Sequence, residues 1–316
     1  MIDPVLILAT ENGAVVLRRE GGGWRETARG LIGERVTSVI AREGVILAGT
    51  TDGVFRSDHQ GRTWQDASGG LTHRHVRWIT YHPDMSDFEF AGTEPAAIFV
   101  SHDGAATWQE CPEVAQLRDA HRWSLPYSPE AGCVRGFAFH GRRAYAAVEV
   151  GGALRSDDGG TTWRLLGGGL HPDVHSIAVH PSSPDLVFAP TGGGFYHSAD
   201  GGETWERLYT CYCRASWLDP ADPGHLILGP ADSVDRNGRI EETRDGGRAW
   251  RPASTGLDAP WRRHMVERFV QVGDDLIAVL SNGELFAAPL ATLEWQPLLP
   301  DIKGVNAVTF MEDISS

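Results

Sequence analysis

The chain has 316 residues, 42 aspartates and glutamates against 28 lysines and arginines, and a formal net charge of −14. That balance argues against a nucleic-acid surface, where neutralising phosphates requires clustered cations. No run approaches eighteen apolar residues, so no membrane span is expected. The opening Met-Ile-Asp-Pro-Val-Leu-Ile-Leu-Ala-Thr lacks a basic stretch ahead of a long apolar run and reads as a strand, not a secretory signal. Four irregularly spaced cysteines (Cys111, Cys133, Cys211, Cys213) predict free thiols and, with the absent signal, a cytoplasmic setting.

In chain order the first element is a set of three strands ending around Trp24, with no inner partner of its own. Tryptophans then recur at Trp64, Trp108, Trp163, Trp205, Trp250 and Trp295. A period of roughly 40–45 residues closing on an aromatic strand predicts blades of a β-propeller. The best template is residues 173–208. Val174–Val179 alternates as an inner strand and 180–185 turns. Leu186–Ala189 forms a second strand, 191–194 turns back, Phe195–Ser198 forms a third, and Thr204–Leu208 forms a fourth. Other inner strands begin near Val36, Val76, Val134, Arg214, His264 and Val305. The fold class is therefore all-β: one seven-bladed propeller domain over residues 1–316. The strand 305–311 supplies the inner strand that the N-terminus lacks, closing the ring and removing exposed edges.

Most of the tryptophans end one octapeptide, cleanest as Ser-Asp-Asp-Gly-Gly-Thr-Thr-Trp (156–163) and Ser-Ala-Asp-Gly-Gly-Glu-Thr-Trp (198–205). It resembles the Asp-box, or BNR repeat, of sialidases, sortilin-type receptors, photosystem II assembly factors and glycosyl-hydrolase-like proteins. Ala105, Thr243, Ala249 and His59 depart from the pattern in other copies. The aspartate suits backbone N–H acceptance within its turn and the glycines suit positive φ, so the motif is expected to be structural. The resemblance implies ligand binding or glycoside hydrolysis at the opposite, upper face. A sialidase-type site would also need an Arg-Ile-Pro motif, which is absent.

Aligning the repeats places Asn306, Thr37, Arg77, Arg135, His175, Arg214 and His264 near the start of the seven inner strands. Just past the second strands stand Glu11, Thr51, Glu94, Glu149, Gly192, Asp232 and Ser281. Each arginine of the first row meets an acid of the second: Arg77 with Glu94, Arg135 with Glu149, Arg214 with Asp232. Two readings stay open. The pairs either knit each blade's mouth or line a funnel, with His175 and His264, for a small polar or anionic ligand. An insertion at 111–132, bearing Trp123 and Tyr127, and an extension at 229–238 are expected on the same face, as a lid, a pocket wall or, with Trp261, a surface for a protein partner. Glu94 and Glu149, on adjacent blades, are the candidate catalytic pair. A separation of about 5–5.5 Å suits a retaining glycosidase and roughly 6.5–9.5 Å an inverting one. No helical His-x-x-x-His and no Cys-x-x-Cys framework is present, so neither a metal nor a cofactor is expected.

Overall fold

A computed structural model of the protein describes residues 4–85, 87–125, 127 and 132–312, so part of the expected insertion (126 and 128–131) lies outside the described residues. Seven four-stranded antiparallel sheets form the ring. Blade one is closed as the sequence predicts: Val305–Glu312 pairs with Pro4–Thr10, which pairs with Gly13–Glu20 and then Gly23–Gly30. The inner strands of blades two to seven are Val36–Arg42, Val76–Tyr81, Cys133–His140, Ala178–Val179, Tyr212–Leu218 and Val266–Val272. Blade five is less regular than its sequence template, because Val174 makes only an isolated bridge to Thr191 before pairing resumes at Ala178. No helix among the described residues is long and apolar enough to cross a membrane, and all four cysteines are free.

The core lies between blades, where alternate strand residues such as Ile7, Ile46 and Val36 pack with no exposure. The octapeptide is the outer clasp of the blades that carry it. Asp158 accepts from the backbone N–H of Thr161 and Thr162 at 3.1 and 2.9 Å, and its other oxygen accepts the Thr162 hydroxyl at 2.7 Å. Gly159 and Gly160 take φ of 82° and 91°, which the turn requires. The indole N–H of Trp163 donates back to Gly160 O at 3.0 Å. In the copy carrying Ala105, Trp108 instead donates to Ala67 O of the preceding blade at 2.8 Å.

The insertion after blade three is not a plain loop. Pro112 starts a helix, Pro112–His121, which ends at Arg122 in the left-handed region. Val114 and Trp123 sink into the core between blades three and four. Trp123 is only 6% exposed, so it is a packing residue and not the ligand contact expected of it.

Candidate functional site

Near the upper mouth of each inner strand the ladder breaks by one residue. Regular pairing is interrupted between Val36 and Ser38, Val76 and Trp78, Val134 and Gly136, and Val266 and Arg268. The break in blade six lies between Cys213 and Ser216, and blade one pairs Ala307 and Val305 around the same irregularity. A bulge of this kind frees the extra residue from the ladder and re-aims its side chain. The extra residues are Asn306, Thr37, Arg77, Arg135, Arg214 and Glu267, and His175 holds the corresponding place in blade five. Each follows a buried valine, or Cys213 in blade six.

The seven bulge residues divide by chemistry. Short donors reach sideways to the next blade: Asn306 Nδ2 donates to Val36 O at 2.8 Å, Thr37 Oγ1 to Val76 O at 2.6 Å, and His175 Nδ1 to Cys213 O at 2.8 Å. Each acceptor is the carbonyl just before the neighbour's bulge. Long charged side chains instead extend into the axial channel. Arg77, Arg135, Arg214 and Glu267 line a cavity of about 270 Å³ together with Arg35, Arg268, Glu11, Glu149 and Tyr127.

Two of the expected pairs form. Arg77 lies 3.4 Å from Glu94 and Arg135 lies 3.1 Å from Glu149. The third does not. Asp232 stands on the outer rim, accepting from Arg239 at 3.2 Å and Asn237 at 2.9 Å. Arg214 contacts Glu267 instead, and the other oxygen of Glu267 is 3.2 Å from Arg135. Glu267 thus joins blades four and six from blade seven. The sequence alignment placed His264 in this row, three residues too early. The recurring valine, here Val266, is the signal that would have set the register. His264 packs on Trp261 at 5.5 Å and does not line the cavity. Trp261 itself is 7% exposed, so it offers no partner surface. His175 is buried at 2% exposure, turned away by its bond to blade six.

Charge states follow from these neighbours. Burial pushes the Glu149 carboxyl up, but Arg135, His175 and Arg77 outweigh it and hold it below the usual carboxylate range. Glu267 behaves alike: Arg214 and Arg135 overcome its burial. Burial, reinforced by Arg77 and Arg35, takes His75 down to about 4, so it is neutral at physiological pH. Arg268 is the exception among the arginines. Its guanidinium sits 3.6 Å from the ring centroid of Trp78, across the channel in blade three, and forms no ion pair among the described residues. Burial and the repulsion of Arg135 lower its pKa to about 9.

The sequence profile described as BNR/Asp-box repeat matches residues 196–207, the third strand and turn of blade five. The chain is a seven-bladed propeller that carries the Asp-box repeat. Two curated relatives are xyloglucanases. That of Hypocrea jecorina (strain QM6a) is 22% identical over 52% of this chain and 21% of its own length; Xgh74A of Acetivibrio thermocellus is 29% identical over 41% and 16%. The Asp-box propeller thus spans about a fifth of these enzymes. Among solved structures, an ancestral GH74 enzyme superposes with TM-score 0.63 at 17% identity, covering 88% of this chain and 38% of that one. YCF48 bound to D1 peptide superposes with TM-score 0.61 at 14% identity, covering 97% and 88%. The Asp-box propeller therefore shares its fold with both glycoside-hydrolase propellers and YCF48.

Proposed function

We propose that the protein binds a small anionic ligand in the axial funnel and does so without catalysis. Arg268 carries this reading. A guanidinium that lines a cavity, lacks a carboxylate partner among the described residues and is partly desolvated is destabilised unless an anion joins it. Arg77, whose only carboxylate among the described residues is at the loose distance of 3.4 Å, is the second available donor. Five arginines against three glutamates line the funnel, in a protein whose overall charge is strongly negative. Focusing of that local positive field favours an anion over a neutral sugar.

Calorimetric titration with citrate and with inorganic phosphate tests this. Saturable binding by the wild-type chain, weakened at least about tenfold by Arg268→Met or Arg77→Met, is expected; a 1.4 kcal/mol loss already gives that factor. Absence of binding by either probe overturns the reading.

Similarity to xyloglucanases favours a second reading, a glycosidase using Glu94 and Glu149. Glu149 is held ionised by Arg135, so it can serve as nucleophile or base but not as the acid that protonates the leaving group. That task falls to Glu94, which faces Arg77. If Glu94→Gln and Glu149→Gln leave xyloglucan-oligosaccharide turnover unchanged, the enzymatic reading fails. A protein partner on the upper face is the remaining alternative. It draws on the fold shared with the peptide-bound YCF48 and on Tyr127 and Val234, which are 62% and 51% exposed on the two upper-face extensions.

A further inference from the structure

We propose that Glu149, Asp173 and Nε2 of His175 form a binding site for one divalent first-row transition cation, in the funnel wall between blades four and five. One ligand atom from each residue lies within 4.8 Å of the others. The tautomer of His175 follows from its surroundings. Nδ1 is 2.8 Å from the Cys213 carbonyl, which only accepts, so Nδ1 carries hydrogen and Nε2 is the nitrogen whose lone pair a cation would take. A backbone carbonyl fixing the remote nitrogen is the usual support of a metal-bound imidazole.

Nε2 lies 3.3 Å from Asp173 Oδ1. Two tetrahedral ligands with bonds of roughly 2.0–2.1 Å stand about 3.3 Å apart, so this pair needs no rearrangement to share one ion. Apart from that contact, Asp173 Oδ1 is buried without a hydrogen-bond partner among the described residues, and His175 is 2% exposed. Glu149 completes the set. Its Oε2 is held by Arg135 at 3.1 Å and the Cys133 thiol at 3.3 Å, which fixes the carboxylate in place.

Two carboxylates and a neutral imidazole match a divalent charge, and this oxygen-rich donor set suits zinc, manganese or cobalt better than soft copper(I). Two groups compete. Arg135 repels a cation electrostatically, and the Tyr212 hydroxyl, 3.2 Å from Nε2, occupies that nitrogen when no cation is bound. Tyr212 retains contacts to Arg214 at 3.3 and 3.4 Å, which hold it when the cation displaces that bond. Because Glu149 lines the funnel, the cation is reachable from the cavity.

The test is titration of the chelator-treated, metal-free chain with Zn²⁺ by calorimetry and with Co²⁺ by visible absorption. One-to-one saturable binding with ligand-field bands is expected. Asp173→Asn weakens it at least about tenfold, the loss typical even of outer-shell partners, and His175→Gln abolishes the bands. Should His175→Gln not fold, Asp173→Asn decides, since its side chain is 25% exposed and near-isosteric. Absence of one-to-one binding by the wild type, or equal affinity in Asp173→Asn, overturns the proposal. Citrate binding measured in chelator reports on the anion site separately.

Discussion

Glu267 of blade seven stands 3.2 Å from Arg135 of blade four, a contact between residues 132 apart in the chain. Its second oxygen contacts Arg214 of blade six. One carboxylate thus ties three blades around the channel, and it sits where a bulge releases it from the ladder.

Removing that charge leaves two guanidinium groups facing each other. Glu267→Gln is expected to destabilise the fold by about 3 kcal/mol, the lower end of what breaking a buried pair costs. Because Glu267 and Glu149 have depressed folded pKa values, their contribution is complete above the unfolded carboxylate value of roughly 4.3 and is lost as pH falls through the folded values. Urea midpoints measured between pH 7 and pH 3 should therefore fall below about pH 4.3 in the wild type and less steeply in Glu267→Gln.

Arg268 should show the opposite balance. Its depressed pKa means that the folded state bears a cost for keeping it charged, fully present at neutral pH and relieved only as pH rises through about 9. Arg268→Met keeps the stem's packing on Trp78 and deletes the charge. Its thermal midpoint should rise, by on the order of 1 kcal/mol in stability after the lost ring contact is counted, while citrate affinity falls. Scanning calorimetry and titration on the same sample read both.

Asp232 provides the contrast. It is 59% exposed at the outer rim, and Arg239 keeps Glu241 at 2.6 Å without it. Asp232→Asn should cost no more than about 1 kcal/mol, as exposed pairs do, and should leave citrate binding unchanged. A fall matching that of Arg77→Met would place Asp232 in the site after all.

The turn aspartate separates structure from function. Asp158→Ala removes the acceptor for two backbone N–H groups and two hydroxyls, a loss comparable to that of a helix cap, about 1 kcal/mol. Chemical denaturation should register it, and anion affinity should not.

The fold was legible because its signals are local. An octapeptide satisfies its own turn, as Asp158 and Trp163 do, so its recurrence counts blades before any tertiary contact is known. Alternating apolar residues set each strand's faces, and the missing inner strand of blade one announced that the ends must meet. The pairs Arg77–Glu94 and Arg135–Glu149 were legible for the same reason, because each spans one hairpin of one blade.

The remainder of the site depends on the ring. A one-residue bulge decides whether a side chain stays in the ladder or enters the channel, and hairpin alignment alone put His264 where Glu267 stands. Whether a bulge residue then staples a neighbouring blade, as His175 does, or crosses the channel, as Glu267 does, depends on its reach and on what closure places opposite it. The sequence by itself determined seven blades, their closure and two ion pairs, because hydrogen bonds within a turn or hairpin involve near neighbours. Only the tertiary structure decided the partner of Arg214 and left Arg268 without one among the described residues. Electrostatic energy depends on distance in space, and closing a propeller makes neighbours of residues more than fifty positions apart.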